Sequence, residues 1–200
     1  MSDELILVNA QNRAIGRAEK RQVHEAGLLH RAFSIFLIDP AGRILLQQRH
    51  PAKYHSGGLW TNSCCGHPHP GEQTVRAAQR RLGEELGASC PLRFGFLTRY
   101  DTRFANGLIE NEIVYVYFGL APADITPNPE EISALELVSL AELKAEVTTS
   151  PEAYSFWLNY YIVHHLEEMK RGIEEVLKRA EVSVSSNSAE VYLERSYCSS

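Results

Sequence analysis

Residues 66–88 read GHPHPGEQTVRAAQRRLGEELGA, and the rest of the chain is best understood outward from this stretch. Its first part is rich in Gly and Pro, which is loop chemistry. From Thr74 the pattern changes. Val75, Ala78, Leu82 and Leu86 recur at helical spacing, so the sequence predicts a helix over 74–86 with one apolar stripe. Gly87 supplies the stop, because glycine readily takes the left-handed conformation that ends helices. Glu72, Glu84 and Glu85 stand around that helix. Carboxylates gathered at one helix end by a preceding loop form a set in which a hard cation can bridge them to phosphate oxygens. Arg81 lies four residues before Glu85, so both share one helix face. The ordinary alternative for that pair is a surface salt bridge; the functional one is a guanidinium offered bidentately to a phosphate.

Upstream, 32–38 is an apolar run that reads as a buried strand, Asp39, Pro40, Ala41 and Gly42 as a turn, and 43–49 as a second strand, together a hairpin. A Gly- and Pro-rich connection is expected over 53–71. Downstream, 109–120 reads as a long strand of β-branched and aromatic residues. The stretch 151–178 reads as a final helix with Phe156, Trp157, Tyr160, Val163 and Leu166 at apolar positions. Strands and helices mix without strict alternation, so the expected class is α/β, a mixed β-sheet with helices on both faces. No internal repeat is visible. One domain is expected over 1–180, followed by a Ser-rich tail over 181–200 read as flexible, with the stretch around 191–193 able to form a short strand.

A chain of 200 residues, 44% hydrophobic, can bury an ordinary core without disulfide or metal staples. The formal net charge of −5 argues against nucleic acid as the main partner, since phosphate-backbone binders carry a basic excess. The first ten residues are acidic and no basic segment leads into an apolar run, so no secretory signal is expected. No apolar stretch is long enough for a membrane span. Cys64, Cys65, Cys90 and Cys198 match neither a disulfide framework nor a CxxC zinc pattern, so reduced thiols in the cytoplasm are expected. Monomer and homodimer are both compatible with the sequence.

The 66–88 stretch resembles the Nudix box, matching it at Gly66, Glu72, Arg80, Glu84, Glu85 and Gly87. The resemblance implies a Nudix-like α/β/α sandwich. Arg81 departs from the box, which has a glutamate there. That change removes one carboxylate from a metal-holding cluster and adds a phosphate-binding cation. Four further runs carry a more specific resemblance: HRAFS from His30, TNSCCGHP from Thr61, ENE from Glu110 and SFW from Ser155. Together, over roughly 20–157, the chain is similar to the type I isopentenyl diphosphate isomerases.

Glu110 and Glu112 are two apart on the expected strand, so they emerge on one face, and Val114, Val116 and Phe118 continue that face as apolar residues. Charges at the end of an apolar row need a partner, and a metal is one. The resemblance implies that His24, His30, His67, Glu110 and Glu112 hold it. Three imidazoles and two carboxylates suit a borderline divalent ion, Mn²⁺ or Mg²⁺ with Zn²⁺ as a further candidate. It also implies a Mg²⁺ bound through Glu85 with the substrate diphosphate, and diphosphate contacts from Lys20, Arg49, Lys53 and Arg81. The implied reaction moves a double bond by protonation and deprotonation through a carbocation. Cys65 works on one face of the alkene, Glu112 linked through Tyr100 on the other, and Trp157 stabilises the cation. Cys64 is read as structural, as are or lie at the surface His50, His55, His69, His164 and His165. Two rival functions share the fold. A Nudix hydrolase of a nucleotide diphosphate leaves Cys65, Trp157 and the ENE strand without a task, and a non-catalytic binding module leaves the whole set so.

Overall fold

The structure is a computed structural model that describes residues 3–53 and 55–182 with their side chains and follows the last helix to Tyr197. Its elements run β1 (Glu4–Val8), β2 (Ala14–Glu19), α1 (Lys20–Ala26), β3 (His30–Ile38), β4 (Ile44–Arg49), β5 (Trp60–Thr61), β6 (Cys64–Gly66), α2 (Thr74–Leu86), β7 (Arg93–Arg103), β8 (Ile109–Leu120), β9 (Ile132–Val138), α3 (Leu140–Thr149), a 3₁₀ turn (Pro151–Ala153), α4 (Phe156–His164) and α5 (Leu166–Tyr197). The expected buried strand is the spine of the sheet. β3 pairs in parallel with β8, from His30 opposite Glu112 to Ile38 opposite Leu120, and antiparallel with β1, β4 and β6. The hairpin turn forms as its residues demand: Asp39 Oδ1 accepts the N–H groups of Ala41 and Arg43, and Gly42 takes φ 82°. β7 extends the sheet beyond β8, and β9 and β5 flank β4.

Alternation along the strands divides the core in two. Phe33, Ile35 and Leu37 of β3 face α2 and meet Ala77, Ala78, Leu82 and Leu86. Ala32, Phe36 and Ile38, with Val114, Val116 and Phe118 of β8, pack under Leu143, Leu158, Tyr161, Met169 and Ile173 of α3, α4 and α5. The layers are therefore the expected α/β/α sandwich around a mixed sheet. α2 spans the predicted residues, and Gly87 ends it at φ 58°, with its N–H returned to the Gly83 and Leu82 carbonyls. A Cβ at Gly87 would lie 2.8 Å from the Thr126 carbonyl oxygen, so glycine is required there by space as well as by φ.

Three expectations need correction. The stretch 151–178 is not one helix: a 3₁₀ turn comes first, Ser155 caps α4, and the chain breaks at His165 (φ −130°, ψ 29°) before α5 begins. The break has a physical cause. His165 stacks on Phe96 at 4.8 Å and its Nε2 bonds Thr98 Oγ1 at 2.8 Å, contacts made across to β7. The connection 53–71 is also not all loop, because β5 and β6 lie within it and pair with β4 and β3. The short strand expected around 191–193 does not form, because α5 continues as helix to Tyr197; the side chains of 183–200 lie outside the described residues.

Leu82 is fully buried where α2 meets the sheet. Leu82→Ala should cost about 2–5 kcal/mol of unfolding free energy in a urea titration. A loss below about 1 kcal/mol would mean that α2 is not anchored through this stripe.

Candidate active site

The site begins with two carboxylates that the strand pattern buries. Glu110 and Glu112 are 4% and 6% exposed and continue the apolar row of β8. Four imidazoles reach them from four different segments. His24 Nε2, from α1, lies 3.2 Å from Glu110 Oε2. His30 Nε2, at the start of β3, lies 3.3 Å from Glu112 Oε1 and 3.8 Å from Glu110 Oε2. His67 Nε2, just past β6, lies 2.8 Å from Glu112 Oε1, and His55 Nε2, in the loop between β4 and β5, lies 3.1 Å from Glu110 Oε1. Glu112 sits well below the usual carboxylate range: burial opposes its charge, but the imidazoles of His30 and His67 beside it outweigh that. Glu110 is lowered likewise, with His24 and His55 outweighing burial and the neighbouring Glu112. Burial pushes His67 down to about 4, against the pull of Glu112, so it is a neutral imidazole at pH 7.

These residues fit a divalent ion. His24 Nδ1 lies 2.6 Å from the Lys20 carbonyl and His30 Nδ1 2.8 Å from the Leu28 carbonyl. In the neutral tautomer each ring donates there, which turns the Nε2 lone pair toward the carboxylates. A lone pair facing a carboxylate oxygen needs positive charge between them. His30 Nε2 and Glu110 Oε2 are buried and lack a hydrogen bond. The ligand atoms of His24, His30, His67 and Glu110 lie within 4.8 Å of one another. A proton can play part of the cation's role, since the His24 pKa is raised: burial opposes it, but Glu110 and the Lys20 carbonyl prevail.

A cavity of about 400 Å³ opens beside this cluster, and Lys20, Arg49, Lys53, Cys65, His67, Arg81, Glu85, Tyr100, Glu110, Glu112 and Trp157 all line it. His24 and His30 do not line it; they approach through the carboxylates. β6 alternates, so Cys64 is sealed in the core under α2 while Cys65 packs on the opposite side and reaches the cavity. Burial pushes the Cys65 thiol up to about 12, with Arg49 acting the other way. Tyr100 stands directly opposite Glu112 in the β7–β8 pair, and its hydroxyl donates to Glu112 Oε2 at 2.5 Å. Burial and Glu112 both raise the Tyr100 pKa, so the hydroxyl keeps its proton.

Trp157 is 4% exposed in the first turn of α4. Its Nε1–H donates to Asn62 Oδ1 at 3.0 Å, and Asn62 is fixed by donating to the Ile35 and Cys64 carbonyls at 3.1 and 2.7 Å. The Arg49 guanidinium lies 5.3 Å from the indole centroid, so this ring already hosts a cation. Asn62 belongs to the TNSCCGHP run, yet its role as the anchor of Trp157 depends on a distant contact that local pattern does not show.

Arg81 does form the salt bridges that were its ordinary alternative, to Glu84 at 2.8 Å and to Glu85, with Glu131 at 3.6 Å. It does so on the cavity wall. Glu85 is 5% exposed and also accepts from Gln47 Nε2 at 3.0 Å. Lys53 pairs with Glu131, a cavity residue not singled out in the sequence. Burial lowers the Lys53 pKa, and Arg49 and Arg81 crowd it further, against the pull of Glu85. Such mutual repulsion is what an incoming polyanion relieves. Glu72 turns out to be a brace: Arg80 grips it bidentately at 3.0 and 2.9 Å, and it accepts the His69 N–H, which ties the loop to α2. His55, read above as structural or at the surface, is buried against Glu110 and lines the cavity, a place at the site that the sequence reading did not give it, because its partner Glu110 is remote in sequence. His165 and His50 bond to Thr98 and to the Ala52 N–H, outside the carboxylate cluster.

The NUDIX domain family matches residues 28–158. The chain is 49% identical over 160 residues to isopentenyl-diphosphate Delta-isomerase 1 of Aromatoleum aromaticum, covering 79% of this chain and 89% of that one. It is 46% identical over 162 residues to the isopentenyl-diphosphate Delta-isomerase of Burkholderia multivorans, covering 81% and 92%. A crystal structure from Deinococcus radiodurans matches with a TM-score of 0.67 at 21% identity, over 80% of this chain and 96% of the other, and speaks to the fold alone. The strand-end carboxylates, the divided cysteine pair and these similarities lead to one assignment: the chain belongs to the isopentenyl-diphosphate Delta-isomerase family of the Nudix fold.

Proposed function

We propose that this enzyme converts isopentenyl diphosphate to dimethylallyl diphosphate by adding a proton at one end of the alkene and removing another two carbons away. The observation that carries this reading is the shared cavity of Cys65 and the Tyr100–Glu112 pair, beside a wall that includes Lys20, Arg49, Lys53 and Arg81. The two proton-handling groups come from β6 and β8, which flank β3 on opposite sides. Glu112, through the Tyr100 hydroxyl, delivers the proton to the alkene, and Cys65 as thiolate takes the other from the resulting cation. A proton has then moved from the carboxyl to the sulfur. Burial of Cys65 and the imidazoles beside Glu112 favour that end state, thiol and carboxylate, so a forward cycle needs one proton returned to Glu112 and one lost from Cys65, whereas the reverse reaction starts from it directly.

Lys20, Arg49, Lys53 and Arg81 bind the diphosphate. A Mg²⁺ held by Glu85 would join it there, and a divalent ion, Mn²⁺, Mg²⁺ or Zn²⁺, held by His24, His30, His67, Glu110 and Glu112 would supply fixed positive charge that orients Glu112 and tunes its acidity. Trp157 gives the carbocation an electron-rich face and helps keep the pocket dry. No helix among the described residues is long and apolar enough to cross a membrane. The partner is a small isoprenoid diphosphate, not nucleic acid or a membrane, and the enzyme acts in the cytoplasm, as monomer or homodimer.

Incubation with isopentenyl diphosphate and Mg²⁺ should yield an acid-labile allylic diphosphate. Release of phosphate or pyrophosphate in its place would make the chain a hydrolase, and no turnover would make it a binding module. Cys65→Ala should lose nearly all of that activity and Cys64→Ala keep most of it, because only Cys65 reaches the cavity; equal losses would sink the assignment.

The Cys65 thiol carries a second expectation. Burial favours the neutral thiol, so with a pKa of about 12 the thiolate fraction is on the order of 10⁻⁴ at pH 8. Inactivation by iodoacetamide should be slow at pH 7, rise about tenfold per pH unit to pH 10 without a plateau, and be blocked by substrate. A plateau near pH 8.5 would show an unperturbed thiol.

For Trp157, a cation–π contribution of roughly 2 kcal/mol when desolvated is worth on the order of thirtyfold in rate. Trp157→Phe keeps an aromatic face and should retain partial activity; Trp157→Leu should fall much further at a similar melting temperature. Equal losses that track lost stability would make Trp157 a packing residue.

A further inference from the structure

His55 is 9% exposed and touches three parts of the site at once. Its Nε2 lies 3.1 Å from Glu110 Oε1, while the other oxygen of that carboxylate, Oε2, faces His24 at 3.2 Å and His30 at 3.8 Å. The two oxygens of Glu110 thus have separate tasks. The ring stacks parallel on Phe104, with centroids 5.1 Å apart and planes at 8°, and stands edge-on to Trp157 at 5.9 Å and 88°. On its far side Nδ1 lies 3.4 Å from Ser56 Oγ, and Arg49 Nη2 donates to the His55 carbonyl at 3.4 Å. A hydroxyl donating to Nδ1 leaves the ring proton on Nε2, where Glu110 Oε1 accepts it.

We propose that His55 is a positioning residue: its Nε2–H holds Glu110 Oε1, which turns Oε2 toward His24 and His30 as a metal ligand, and its ring braces the Trp157 indole. The inference rests on the reading of His24, His30, His67, Glu110 and Glu112 as a divalent-ion site. His55 Nε2 is directed at Glu110 Oε1, 3.1 Å away, and His55 is not among the residues whose ligand atoms gather within 4.8 Å, which are His24, His30, His67 and Glu110. A hydrogen bond that fixes a ligating carboxylate raises metal affinity by removing the freedom of that carboxylate to rotate.

The test is a visible-absorption titration of the full-length protein with Co²⁺ alone, using wild type, His55→Leu and His55→Gln. Leu keeps the apolar bulk without a donor, and Gln puts an amide N–H near the place of Nε2. His55→Leu should weaken Co²⁺ binding by about 10- to 100-fold, and His55→Gln should restore it to within roughly threefold of wild type. All three should share one saturated d–d spectrum. Should His55→Leu fail to fold, His55→Asn takes its place, since its donor is too short to reach Glu110. An unmoved midpoint in His55→Leu, with wild type binding normally, overturns the role of His55 alone. So does a Gln variant as weak as the Leu variant, which would mean packing, or a changed saturated spectrum, which would mean direct ligation. If wild type shows no Co²⁺ spectrum, the ion-site reading fails, and this inference fails with it.

Discussion

Two carboxylates lie buried at the end of an apolar strand row, and the arrangement of the whole site answers the cost of putting them there. The effective penalty for desolvating an ion in a protein is several kcal/mol even after relaxation, so Glu110 and Glu112 tolerate burial only with opposite charge and hydrogen bonds close by. The fold meets that demand from four segments. α1 presents His24, β3 opens with His30 opposite Glu112, the exit of β6 carries His67, and the loop after β4 brings His55. Register is therefore critical. A one-residue slip of β8 against β3 would turn both glutamates to the α2 side and bury them against an apolar helix stripe.

The same period of two separates stability from chemistry elsewhere. In β6, Cys64 belongs to the core beneath α2 and Cys65 to the cavity, although the residues are adjacent and chemically identical. In β7, Phe96 and Tyr100 face inward, and Tyr100 meets Glu112 because the β7–β8 register sets them opposite. The helical box divides its labour as well. Glu72 and Arg80 clamp the loop to α2, which leaves Arg81 and Glu85 facing the cavity. The scaffold of the box and its function thus use different carboxylates.

Residue patterns revealed those parts of the fold whose side chains are sorted strongly by burial. The runs that became β3, β4 and β8 each contain a continuous apolar block, and α2 has one clean stripe and a glycine stop, so their positions were readable. β2 is mostly exposed and carries no period, and α1 is too short for one to develop. In β7 buried Phe96, Thr98 and Tyr100 alternate with exposed neighbours, but apolar Phe94 and Leu97 on the exposed side blur that period in the sequence. The break at His165 was hidden because its cause, a bond to Thr98, is tertiary. The proposed ligand and catalytic residues were legible mainly through family resemblance. His55, Asn62 and Glu131 were not, since each acts through a partner far along the chain and sits in no local pattern that implies that partner.

Arg81 shows why one substitution in the box changes what the helix end can hold. Its guanidinium contacts Glu84 and Glu85 and approaches Glu131, so it neutralises charge that would otherwise attract metal ions. Glu85 is satisfied twice over, by Arg81 and by Gln47, and a lone cation approaching it has to displace the Arg81 guanidinium, whose other anionic neighbours, Glu84 and Glu131, are more exposed. A cation that arrives together with a diphosphate meets no such obstacle, because the phosphate oxygens offer Arg81 a replacement partner in the same step. The crowding of Lys53 by Arg49 and Arg81 acts in the same direction, since added negative charge is favourable there and added positive charge is not. On the proposed reading the helix end is thereby matched to a metal–diphosphate pair as a unit, while the imidazole-lined carboxylates of β8, with no guanidinium among their ion-pair partners in the described residues, could hold an ion on their own.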